Sequence, residues 1–245
     1  MKHKEIIKKG YSEIASDSCG CCRCQCGTDN SSEEIAKQIG YSSNEIKKYS
    51  NANMGLGCGN PVALSNIKKG DIVIDLGCGA GFDSFLASEK VGEKGRVIGI
   101  DMTEKMIKKA KTNSQKNKIK NTEFKLGDIE ELPIKNEYAD KIISNCVINL
   151  AENKDRVFKE AYRVLKKGGK MYVSDIVLLE PLTNEQKNDK SLLVGCVAGA
   201  LLKKDYLRKI KNAGFNINIF EEDKDISKKQ YSGIKLESIK VEAVK

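Results

Sequence analysis

A chain of 245 residues and 27.1 kDa, 40% hydrophobic and 31% charged, is long enough to bury a substantial core. Three prolines and a mean hydropathy of −0.45 exclude a wholly disordered, collagenous or membrane-embedded chain. The net charge of +9 arises from lysines scattered through every segment, and only 6% of residues are aromatic, so no nucleic acid and no membrane is expected as a partner. No stretch reaches the roughly 20 apolar residues of a membrane span, and Met1 to Gly10 is charged where a secretion signal would be apolar; a cytoplasmic location is expected.

In chain order, Lys2 to Ala15 reads as a helix with Ile6, Ile7, Tyr11 and Ile14 near one face. Five of the nine cysteines then crowd together: Cys19, Cys21, Cys22, Cys24 and Cys26. An odd cysteine total without a secretion signal points to thiolate chemistry or soft-metal binding rather than a disulfide scaffold. Ser31-x-x-Glu34 and Ser42-x-x-Glu45 have the form of capping boxes, predicting short helices over 32–39 and 43–49. Asn51 to Pro61, with Gly55, Gly57 and Gly59, reads as a loop.

From Asp71 the pattern changes. Strand-like runs at 72–76, 96–100, 123–126, 141–145 and 170–176 alternate with helical stretches at 82–91, 104–117 and 153–165. Parallel neighbours need long crossovers, so this alternation predicts a Rossmann-like, doubly wound α/β sheet. An irregular stretch around Pro181 follows, then a helix over 204–213 ended by Gly214, and closing strands at 215–220 and 238–244 that bring the total to seven. The chain divides into an N-terminal helical extension (1–66), a ligand-binding core (67–176) and a cap segment with the closing elements (177–245).

Asp75-Leu-Gly77-Cys-Gly79-Ala-Gly81 follows the first strand and opens the first core helix, the context of a nucleotide-binding glycine loop. A dinucleotide fingerprint would place glycine at 82, which is Phe, and this disfavours NAD or FAD. Asp101 ends the second strand, where a carboxylate can accept from both ribose hydroxyls, and Asp128 and Ile129 end the third, where a carboxylate and an N–H could hold an adenine ring. VIDLGCGAGFD, GID and GDIEELP, in this order and spacing, resemble the class I S-adenosylmethionine-dependent methyltransferases. The resemblance implies a cofactor-binding set of Asp75, Gly77, Cys78, Gly79, Gly81, Asp101, Met102, Asp128, Ile129 and Asn145, with the Cys78 thiol itself read as packing.

Three isolated cysteines remain: Cys58 in GLGCGNP, Cys146 at the fourth strand's end in SNCVIN, and Cys196 in VGCVAGAL. A single buried Cys is usually a small hydrophobe. The three contexts together resemble the arsenite S-adenosylmethionine methyltransferase family, from about Ile7 to the end of the chain. That resemblance implies that Cys58, Cys146 and Cys196 are catalytic and bind trivalent arsenic, that arsenite and methylarsenite are substrates, and that a thiol reductant of the glutathione or thioredoxin type is the co-substrate. The inorganic chemistry agrees: As(III) is soft and takes three thiolates in a pyramid, whereas zinc would want four ligands. On this reading Cys58, in its glycine-rich loop, is the ligand free to swing away, and Cys146 and Cys196 are the persistent pair. The CGCCRCQC run is either an arsenite-capturing relay or a metal-scavenging tail. Two alternatives stand beside the main one: a methyltransferase for another small organic acceptor, and an arsenic-binding protein without turnover.

Overall fold

The computed structural model describes residues 3–16, 32–223, 226 and 233–245. The five clustered cysteines and Ser31 lie outside the described residues. Seven strands form one sheet: β1 (Ile72–Leu76), β2 (Arg96–Asp101), β3 (Thr122–Leu126), β4 (Ala139–Asn145), β5 (Leu165–Leu178), β6 (Asn216–Asp223) and β7 (Leu236–Val244). Their order is β3-β2-β1-β4-β5-β7-β6. The first five pair in parallel, and β7 runs antiparallel between β5 and β6, so the doubly wound expectation holds with one reversed strand.

The helices are α1 (His3–Ser16), α2 (Ser32–Gln38), α3 (Ser43–Lys48), α4 (Pro61–Leu64), α5 (Phe82–Val91), α6 (Glu104–Lys116), α7 (Lys154–Val164), α8 (Asn184–Asn188), α9 (Lys190–Val194) and α10 (Lys203–Asn212). Both faces of a parallel sheet must be covered, and successive strand residues serve opposite layers. Val73, Val97 and Ile143 pack with Phe85, Leu86, Ile107 and Ala110 of α5 and α6. Ile74, Ile98 and Ile142 pack with Val157, Phe158, Tyr206 and Ile210 of α7 and α10 on the other side.

A third apolar cluster closes the carboxyl end of the sheet. It joins Ile7 of α1 to Cys58, Cys146 and Cys196, and to Leu150, Ile176 and Leu193. The Ser42–Glu45 capping box at α3 is present as the spacing predicts. Two expectations need correction. The stretch after Pro181 is not irregular, for the Thr183 and Asp189 side chains cap α8 and α9. The helix expected to reach residue 165 ends at Val164, where β5 begins, five residues earlier than its apolar run suggests.

Candidate active site

Strand order reverses between β1 and β4, and the crevice outside their carboxyl ends is where an open α/β sheet binds ligands. A cleft of about 1120 Å³, mouth included, opens there. Asp75, Gly77, Cys78, Gly79, Asp101, Met102, Asp128, Ile129 and Asn145 line it, as does Cys146. Gly81 does not; it sits at φ +98° as the N-cap of α5, and a Cβ there would lie 2.7 Å from the Phe85 ring. Gly77, at φ +66°, passes so close to β4's end that a Cβ would lie 2.4 Å from Val147 Cγ2. Only glycine gives this turn both its left-handed backbone and its clearance. Cys78 is buried in the α5 and α6 layer, with its Cβ beside Gly99.

Asp101 braces the glycine loop, since its carboxylate accepts from the N–H groups of Gly79 (3.1 Å) and Thr103 (2.8 Å). Burial raises its pKa, opposed by those two donors. Asp75 lies behind the loop and accepts from Ser84 Oγ at 2.5 Å. Tyr41 and Asp83 are among the lining residues that escaped the sequence reading. Tyr41 donates to Asp83 Oδ1 (2.6 Å), and Asn145 Nδ2 reaches both Asp83 Oδ2 (3.0 Å) and the Gly59 carbonyl (2.8 Å). Burial pushes the Asp83 carboxyl up to about 6, against the pull of Tyr41 and Asn145. Asn145 Oδ1 accepts from the Cys58 N–H at 3.0 Å, so one amide ties the cleft to the first isolated cysteine.

The sequence also gave no sign of what α1 covers. Lys4 pairs with Asp128 (2.7 Å) and Glu130 (2.9 Å) at the cleft's rim, Ile7 is fully buried, and the Tyr11 hydroxyl lies 3.8 Å from Cys196 Sγ. One helix thus touches both the cleft and the thiols.

Cys58, Cys146 and Cys196 converge beside the cleft, all buried and free. Cys196 Sγ donates to the Cys146 carbonyl at 2.8 Å, and Cys58 Sγ to the Ser174 carbonyl at 3.3 Å. Cys146 (φ +56°) and Cys196 (φ +67°) occupy the left-handed region that non-glycine residues avoid, a strain that proteins concentrate at functional sites. Burial pushes the Cys58 thiol up. At Cys146 the bond to Cys196 pulls down, but the bond with Cys58 and burial push up further; at Cys196 the bond to Cys146 and then burial push up. The loop holding Cys58 is not free to swing: besides its Asn145 contact, the Cys58 carbonyl accepts from Ser238 Oγ of β7 at 2.7 Å. Beneath the thiols Asp175 is fully buried, another group missed in the sequence.

Residues 67–214 match the methyltransferase-domain family. The arsenite methyltransferase of Halobacterium salinarum is 41% identical over 222 residues, 86% of this chain and 57% of the relative. That of Mus musculus is 41% identical over 170 residues, 65% of this chain and 44% of the relative. Among solved structures, an arsenic(III) S-adenosylmethionine methyltransferase from Chlamydomonas reinhardtii superposes with a TM-score of 0.68 at 32% identity, covering 86% of this chain and 73% of that one. The chain belongs to the arsenic(III) S-adenosylmethionine methyltransferase family. Within that family it spans about half the length of the curated relatives it matches. Among the described residues no helix is long and apolar enough to cross a membrane.

Proposed function

We propose that this protein transfers methyl groups from S-adenosylmethionine to trivalent arsenic held by Cys58, Cys146 and Cys196. The observation that carries the reading is the convergence of three buried thiols at the end of β4, where Cys146 also lines the cleft. The cleft suits a cationic sulfonium ligand: among the described residues, Asp75, Asp83, Asp101, Asp128 and Glu130 line it against one cation, Lys4. Asp101, Asp128 and Ile129 would hold the nucleoside, and Asp75, Asp83 and Asn145 the amino-acid end.

Arsenite, as neutral As(OH)3, exchanges three hydroxides for three thiolates and releases three waters. Thiols held protonated by their surroundings therefore enter without net proton release. The arsenic lone pair attacks the sulfonium methyl in line and neutral S-adenosylhomocysteine leaves, so no general base is required and catalysis is chiefly proximity and orientation. Methyl-cation transfer leaves arsenic oxidised by two electrons. Two thiols of a glutathione- or thioredoxin-type donor return them as they form a disulfide. Free buried thiols in this number suit the reducing cytoplasm.

Purified enzyme given arsenite, S-adenosylmethionine and a thiol reductant is expected to form methylated arsenic, and Cys146→Ser to abolish it. No methylated product at high enzyme concentration would sink the reading. A methyltransferase for another small organic acceptor is the second reading, favoured by 36% identity over 117 residues to a naphthoquinone methyltransferase of Arabidopsis thaliana. That reading requires Cys146→Ser to cost little.

A further inference from the structure

We propose that Cys58, Cys146 and Asp175 form a site for a thiophilic divalent cation of the zinc and cadmium class, in a binding mode that leaves Cys196 unused. One ligand atom from each of the three lies within 4.8 Å of the other two, and all three residues are buried. Arsenic bound by three thiolates has no need of the carboxylate, so Asp175 is a buried acid that the proposed reaction does not employ.

The carboxylate is prepared as a ligand. Asn149 Nδ2 (2.8 Å) and the Ile176 N–H (2.9 Å) donate to Oδ1, and the Tyr206 hydroxyl donates to Oδ2 at 2.9 Å. These donors, with the Asn149 backbone N–H, fix the orientation of the carboxylate, whose Oδ2 accepts from Tyr206 alone among the side chains. Hydrogen-bond donors of this kind are what orient metal-bound carboxylates.

The ligand set, not net charge, separates the two occupants. As(III) takes three thiolates and leaves Asp175 unligated. A divalent ion on two thiolates and one carboxylate likewise leaves a single negative charge, near the largely buried Lys154; burial pushes the Asp175 carboxyl up to about 7, against the pull of Tyr206, the Ile176 N–H and Lys154. Cys196 keeps its proton and its 2.8 Å bond to the Cys146 carbonyl. Three protein ligands plus water complete a tetrahedron, the arrangement zinc adopts in sites with an open position. Binding displaces the protons of Cys58 and Cys146 to solvent. A bound cation removes two arsenic ligands, so cation and arsenite exclude one another.

The probe is cobalt(II), added without arsenite or cofactor to the reduced full chain carrying Ser at positions 19, 21, 22, 24 and 26 so that the cysteine run does not compete. One equivalent is expected to bind with tetrahedral d–d bands and sulfur-to-metal charge transfer. Asp175→Asn is expected to weaken cobalt at least about tenfold and arsenite by less than about threefold. Cys196→Ser is expected to do the reverse. X-ray absorption of the chain with Asp175 intact should count two sulfurs around cobalt, and this decides the matter if Asp175→Asn does not fold. Three sulfurs, an unchanged affinity in Asp175→Asn, or an equal loss in Cys196→Ser would overturn the site. Because cobalt is measured alone, a failure of arsenic methylation and a failure of this site are read separately.

Discussion

Asp101 shows how one side chain serves loop and ligand at once. Its carboxylate accepts from Gly79 and Thr103 while it lines the cleft. Each hydrogen bond to a charged acceptor is worth about 1.5 to 3 kcal/mol. Asp101→Ala is therefore expected to weaken S-adenosylmethionine binding at least about tenfold by isothermal titration, and an exposed, idle aspartate would show no change. Asp83 supplies a pH signature. Its folded value of about 6 lies above the ordinary carboxylate range, so the native state holds a proton that the unfolded chain has lost. Its contribution to stability is complete below about pH 4 and disappears as pH rises through 6. Urea unfolding across that window should show a shallower decline for Asp83→Asn than for the parent. The three thiols divide by role as well. Since the Cys58 loop is pinned, the proposed release of methylated arsenic by Cys58 would require side-chain rotation, with the Ser174 carbonyl placed to accept its S–H. Cys58→Ser is expected to lose turnover of arsenite and keep that of methylarsenite, whereas Cys146→Ser and Cys196→Ser lose both. A Cys58→Ser enzyme idle on methylarsenite would refute the assignment.

Among elements, the β1–α5 turn is the most exacting. Gly77→Ala adds a methyl 2.4 Å from Val147 Cγ2 on a left-handed backbone. A loss of about 1 to 3 kcal/mol is expected in denaturant unfolding, partly recovered by Val147→Ala if the clash contributes to it. This turn was legible because its glycines sit between a β-branched run and a helical one, and the five parallel strands were legible for the same reason. Other elements were not. The helices α8 and α9 have five residues each, too few to display a helical period. Gly168 and Gly169 disguised the early part of β5, which continues through Gly168 at φ +74°. The apolar face of α1 was visible, but its partners at Asp128, Val194 and Cys196 stand more than 120 residues away, and no local pattern encodes such a distance. Tyr41, Asp83 and Asp175 were missed likewise: each takes its meaning from neighbours brought to it by the sheet.

For the molecule as a whole, the cofactor should act as a stabiliser. A ligand that binds only the native state adds about 2.7 kcal/mol at one hundred times its dissociation constant, so S-adenosylmethionine is expected to raise the melting temperature in a concentration-dependent way. No shift at saturating cofactor would contradict the cleft assignment. The hydrogen bond from Ser238 to the Cys58 carbonyl reaches across 180 positions, from the reversed strand β7 to the loop before β1. Synthesis runs from the amino end, so Cys58 emerges from the ribosome long before the residue that holds it. The parallel strands can pair while the chain is still growing, but the bond that holds the Cys58 loop forms only once β7 has docked on β5. Nascent chains halted before Leu236 would then carry all three cysteines and still lack the hydrogen bond that holds the Cys58 loop in place.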